Sequence, residues 1–257
     1  QLQSSVFVVV VVVPIIMTTS IKTTTRSTLF SCHGFFLFGI LAMSHIIMVK
    51  VVTAECACTL QSRPPIDHKA DTARWMVHSL EWGVLSTISS RINSTTTAVP
   101  FGNVYSFVDG PCDEATGVPY LFGTFMDQSF QDSVHNDMVS LTLSEASLSS
   151  VCTERDGLPS CMMGTKYGDP ENPVCARLTL TGRLVVLEPP QDDDNDDTEY
   201  SKAQAALFQR HATMADWPAD HNWVIAKIDI QDVWLIDFFG GATIIDPETY
   251  FAANPYN

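Results

Sequence analysis

The residues with the most chemistry to offer are few and scattered. His221-Asn222-Trp223 sets an imidazole beside an amide and an indole, a grouping that could position a substrate or move a proton. A His and an Asn that satisfy backbone groups where a strand begins is the simpler reading. His78 lies beside an apolar stripe at helical spacing, where a packed or hydrogen-bonded histidine is expected rather than a ligand. Residues 191–199 hold a run of carboxylates that invites a calcium reading. Their spacing lacks the closing Gly and Glu of an EF-hand loop, so a solvated loop favouring the next helix's N-terminus fits better. No Gly-x-Ser-x-Gly elbow, Walker loop or His-Glu-x-x-His pair occurs.

Cysteine and asparagine carry a different message. Asn93-Ser94-Thr95 is a glycosylation sequon in a Ser/Thr-rich loop. Cys58, Cys112, Cys152, Cys161 and Cys175 remain once the first 57 residues are set aside, and in an oxidising compartment they would form one or two disulfides. Cys152, Cys161 and Cys175 bracket one long loop, so Cys175 is expected to pair with Cys152 or Cys161. The spacing suits no zinc site, and too few histidines lie nearby.

Such a compartment requires a targeting segment, and residues 1–57 have the features of one. From Met17 come a basic stretch with Lys22 and Arg26, an apolar run over 29–52, and the small residues of Thr53-Ala54-Glu55-Cys56-Ala57. This order reads as a signal peptide cut near Ala54 or Ala57. The rival reading is an uncleaved signal anchor, since 29–52 is long enough to span a bilayer. Residues 58–68, with Pro64-Pro65, read as a linker, 69–251 as the folded domain and 252–257 as a tail. With cleavage, no membrane attachment is expected.

Charge excludes further classes. The 257 residues carry a formal net charge of −15, which argues against nucleic acid and anionic membrane surfaces as partners. Removing Lys22, Arg26, Lys50 and Glu55 with the leader makes the remainder more acidic still. Hydrophobic residues make up 46%, enough for a sizeable core.

The elements that must position these residues follow from periodicity. A helix capped by Asp67 or Asp71 is expected to run to about Glu81, with Ala73, Val77 and Leu80 inward. Strands are expected over 84–89, 103–108, 119–123, 138–143 and 174–187, with Gly182 marking a bulge in the last. Helices are expected over 127–135 and 200–211. Residues 144–173 form a long irregular connection that a disulfide would tie down. Residues 223–236 read as two strands broken at Gln231-Asp232 and followed by a turn at Gly240-Gly241. Several connections are too short for crossovers, so the strands are antiparallel. The class is mainly β, a closed antiparallel barrel with peripheral helices.

Many short motifs in this order resemble one family. Ala73-Arg74-Trp75-Met76-Val77-His78, Pro100-Phe101-Gly102-Asn103, Gly117-Val118-Pro119-Tyr120 and Asp169-Pro170-Glu171-Asn172-Pro173 with Cys175 resemble the CREG family of secreted "cellular repressor" glycoproteins. So do Phe208-Gln209-Arg210-His211, Trp217-Pro218, His221-Asn222-Trp223 and Phe238-Phe239-Gly240-Gly241. The matches run from about residue 69 to 251; the acidic run and the segment around 152–165 depart from the pattern. The resemblance implies the FMN-binding split β-barrel of the pyridoxamine-phosphate-oxidase superfamily, a homodimer with its pocket between two barrels, and a secreted or endolysosomal location. It implies action through protein contacts, in growth control and lysosomal function.

The resemblance does not imply flavin chemistry. Flavin enzymes of the superfamily hold the FMN phosphate with Arg and Lys at positions that fall here on Asn103, Asp127, Gln128 and Ser129. A phosphate dianion needs charge-assisted donors, and Asp127 would repel it. No cofactor and no catalytic residue is therefore expected. The alternative is an FMN-dependent oxidoreductase.

Overall fold

The computed structural model describes residues 58, 62–92, 97–148, 161, 168–191 and 197–256. Residues 1–57, Asn93 and Cys152 lie outside the described residues, and with them the leader, the sequon asparagine and one of the disulfide candidates.

The chain runs α1 (Lys69–Ser79), β1 (Trp82–Ile88), β2 (Pro100–Val108), β3 (Tyr120–Gly123), α2 (Gln128–His135), β4 (Met138–Ser144), β5 (Arg177–Val186), α3 (Glu199–Arg210), β6 (Val224–Ile236), β7 (Thr243–Ile245) and α4 (Pro247–Ala252). The sheet order is β3-β2-β1-β4-β5-β6-β7, and β3 also pairs with β6. That pairing closes six strands into a barrel and leaves β7 as a flap on β6. Every pair is antiparallel. The expected class, a mainly β split barrel with peripheral helices, is the fold found.

The barrel fills with Leu85, Phe107, Leu121, Leu141, Leu178, Leu180, Ile228, Val233 and Leu235, and α1 plugs one end with Trp75, Met76 and Val77. A second, smaller cluster lies outside, where α3 covers β2, β3 and β6 with Ala203, Ala206 and Leu207 against Val108, Tyr120, Phe122 and Ile225. Strand β3 and the start of β6 are therefore buried on both faces. This is why Ile225 is buried although it falls out of phase with Ala226, Ile228 and Ile230.

The longest strand corrects one expectation. Residues 223–236 hold no break, because β6 runs unbroken through Gln231-Asp232. Thr181 pairs with Asp232 and Gly182 with Ile230, so Gln231 is the extra residue of a bulge. The bulge shifts the side-chain phase by one, and the inward set passes from Ala226, Ile228 and Ile230 to Val233 and Leu235. That phase shift is what mimics a break in sequence. Gly182 faces it for a steric reason: a Cβ there would meet the Asp229 carbonyl oxygen at 2.0 Å.

The 58–68 stretch, read as a linker, is fastened to the barrel. Cys58 is bonded to Cys112, 54 residues away. Arg63 donates to Glu145 Oε2 at 2.8 Å, Val174 O at 2.9 Å and Asp237 O at 2.8 Å, joining the ends of three strands. The C-terminal residues are held as well. Arg74, almost fully buried, donates to the carbonyls of Phe251, Ala253 and Ala115 at 3.0, 3.2 and 2.7 Å. Tyr256 accepts from Ala115 N at 2.8 Å.

Candidate functional site

Helix α2 begins where the chain leaves β3, and its first turn gathers the residues aligned with a phosphate site. Asp127 is its N-cap, and the carboxylate accepts from Ser129 N at 2.8 Å. Asn103, on β2, donates through Nδ2 to Asp127 Oδ2 at 3.1 Å. The Tyr105 hydroxyl, two residues further along β2, donates to Asp127 Oδ1. Burial drives the Tyr105 phenol well above its ordinary value and the hydrogen bond to Asp127 raises it further, so it stays a proton donor. Gln128 turns away, donating to Asp132 Oδ1 at 2.7 Å and Ser90 Oγ at 3.2 Å.

Asn103, Asp127 and Ser129 thus do meet, around a carboxylate that belongs to the protein. The Ser129 N–H, which a bound anion would need at this helix N-terminus, is committed to Asp127. Among the described residues no lysine or arginine lines the adjoining groove. An FMN phosphate does not fit these residues.

Beside the cap lies a groove with an aromatic wall. Phe122 of β3 stacks on Trp223 at 5.0 Å, and Trp217 lies 4.9 Å from Trp223 and 5.8 Å from Phe122. The Trp223 indole N–H donates to Pro218 O at 2.8 Å, which fixes the ring. The cap and this wall bound a cavity of about 280 Å3. Its floor is β3 at Gly123, where any Cβ would strike the Phe130 ring at 2.1 Å.

His221-Asn222-Trp223 serves mainly to build this wall. Asn222 takes a left-handed conformation (φ 51°) that turns the chain into β6, and the His221 carbonyl accepts from Thr124 Oγ1 at 2.5 Å. The His221 ring packs 5.5 Å from Trp223. His78 is a hydrogen-bonded core residue, with Nδ1 2.9 Å from Asp109 Oδ1 and both residues buried.

Sequence reasoning missed several functional-looking groups. Asp132 is a buried carboxylate on α2 that accepts from Thr87 Oγ1 at 2.6 Å and from Ser90 N and Oγ at 2.7 and 2.8 Å. Burial alone would raise its carboxyl, but these bonds and that from Gln128 hold it below the usual carboxylate range. Its spacing from Gln128, one helical turn, was the available signal. The aromatic wall joins Phe122 to residues nearly a hundred positions later, so only the apolar content of Trp217 and Trp223 could have pointed to it. Among the described residues no group of three or more His, Cys, Asp or Glu could hold a metal ion.

The disulfide expectation resolves in part. Cys175 pairs with Cys161, 14 residues away, so Cys152 is not its partner. The second bridge, Cys58–Cys112, was not anticipated. The two cysteines come within 5.2 Å (Cα–Cα) only because Cys58 folds back onto the turn after β2.

Comparison with known proteins agrees with the geometry. The family model described as "CREG, beta-barrel" matches residues 64–252. Protein CREG1 of Gallus gallus is 37% identical over 194 residues, covering 75% of this chain and 90% of that protein. Protein CREG1 of Homo sapiens is 33% identical over 196 residues, covering 76% and 79%. A solved heme binding protein from Mycobacterium smegmatis superposes with a TM-score of 0.51 at 20% identity. That match covers 75% of this chain and 62% of that chain, and it is a likeness of fold. With a barrel of this topology and a family match that spans its whole length, the chain belongs to the CREG family.

Proposed function

We propose that this chain is a protein of the secretory pathway, extracellular or endolysosomal, that acts through protein contacts as a homodimer and runs no flavin chemistry in its barrel. The observation that carries the reading is the Asp127 carboxylate, which occupies the helix N-terminus that a flavin phosphate would need. A second anion there would meet a negative charge in place of a positive one. Two disulfides favour an oxidising compartment. The exposed apolar side chains Val104 on β2 and Phe125 and Met126 between β3 and α2 favour contact with another protein surface.

Absorption of the purified, processed protein tests the reading. A colourless preparation that stays colourless after incubation with FMN and dialysis is expected. A retained flavin band near about 450 nm overturns it and establishes a flavin enzyme of the same superfamily. Light scattering at twice the chain mass is expected for the dimer, and a strictly monomeric mass counts against it.

A further inference from the structure

The aromatic groove has no use in a barrel that holds no flavin. Four apolar side chains form one wall: Phe122, Met214, Trp217 and Trp223. Phe122 and Met214 are buried, while Trp217 leaves 38% of its surface open. The opposite rim is polar, with Asn103 and Asp127. Asp127 is the only Asp, Glu, Lys or Arg among the described residues of the lining. Its Oδ1 already accepts from Tyr105 and Ser129, whereas Oδ2 accepts only from Asn103. One oxygen therefore keeps capacity for another donor.

These features select a charge type. The faces of indole and phenyl rings attract cations and repel anions. A carboxylate at the rim adds a charge-assisted acceptor. Among the described residues no Lys or Arg in the lining competes for it, and the chain's net charge of −15 draws cations toward the surface. A neutral sugar could stack on the indoles and donate a hydroxyl to the carboxylate, but would leave its charge unmatched. We propose that this groove binds a small organic cation, an ammonium compound, with its charged group between the Asp127 carboxylate and the ring faces of Trp217 and Trp223. The proposal rests on the reading that no flavin occupies this part of the barrel.

Choline is a suitable probe, with 3,3-dimethyl-1-butanol as its uncharged isostere and methyl glucoside as a neutral sugar. Each is titrated into the processed protein while tryptophan emission is followed. A saturable change with choline is expected, with the isostere binding about tenfold or more weaker. Asp127→Asn, which keeps an N-cap side chain, should weaken choline by about the same factor and leave the isostere unchanged. Trp217→Ala should weaken both. Equal binding of choline and its isostere, saturation by the sugar alone, or no saturable response to choline overturns the proposal. If Asp127→Asn does not fold, the comparison of choline with its isostere on the unaltered protein decides. Titration with FMN separates the two readings. FMN binding overturns the proposed function, whereas failure of both FMN and choline to bind overturns only the cation site.

Discussion

Tyr105 and Asp127 come from different elements, and the hydroxyl of the first is bonded to the carboxylate of the second. Strand β2 thereby reaches across to the helix that follows β3, and one carboxylate serves as N-cap, strand anchor and groove rim. Removing it should loosen all three. Asp127→Ala is expected to cost about 2 kcal/mol in urea denaturation, and Asp127→Asn clearly less, because an amide still caps the helix. Equal losses in the two variants would show that capping is not its structural role.

Arg63 lies within a stretch read as a linker, yet its guanidinium pairs with Glu145 and Asp237 with side chains almost fully buried. Arg63→Ala leaves Glu145 without its cation, while Asp237 keeps Lys69 at 2.5 Å, and should cost about 3 kcal/mol. Arg63→Lys should recover little, since a single ammonium cannot reproduce a fork that serves three strand ends. Chemical denaturation of the three proteins side by side checks this.

The two disulfides should differ in worth. Cys58–Cys112 closes a loop of 54 residues and Cys161–Cys175 one of 14. Chain entropy gives about 4 kcal/mol for the first and about 3 kcal/mol for the second. Paired Cys→Ser variants, compared by thermal and urea unfolding, should therefore rank the first bridge as the more costly to lose. The reverse order would mean that the short loop's bridge holds structure beyond its own closure.

Stability should fall on mild acidification through His211. Burial holds its imidazole below the ordinary 6.5; the bond from Nε2 to the Phe107 carbonyl, at 3.2 Å, opposes this, and the neighbouring Arg210 charge adds to the lowering. The unfolded chain then takes up a proton that the folded chain refuses. The stabilisation is complete above pH 6.5 and is lost as pH falls from there toward the depressed folded value. Urea midpoints should drop over that window, and His211→Gln should flatten the drop. An unchanged slope in the variant would assign it to other groups.

Gly182 permits the bulge that lets β6 close the barrel. Gly182→Ala places a methyl group 2.0 Å from a backbone oxygen, which no rotamer can relieve. The variant should lose about 3 kcal/mol or more, or fail to accumulate as soluble protein. Wild-type stability would mean that the two strands slide apart at little cost.

Local chemistry made much of this readable. Asp127 before Gln128-Ser129-Phe130 announced a capped helix, and alternating apolar residues announced β1, β2, β4 and β5 within a few positions. The bulge at Gln231 defeated the same logic, because an inserted residue reverses the phase of alternation without ending the strand. Ile225 defeated it too, since whether an outward face meets solvent depends on where α3 lands.

The sequence alone determined the strand and helix order, the absence of basic residues at the positions aligned with a phosphate site, and the likeness to one family. Those depend on residue type and near neighbours. Tertiary structure decided that Cys58 finds Cys112, that Arg63 anchors its stretch, that Asp127 receives donors from β2 and α2 together, and that Phe122 joins Trp217 and Trp223 in one wall. Each of these is a proximity between residues distant in the chain. Barrel closure through β3 and β6 sets such distances, and no local preference of the residues encodes them.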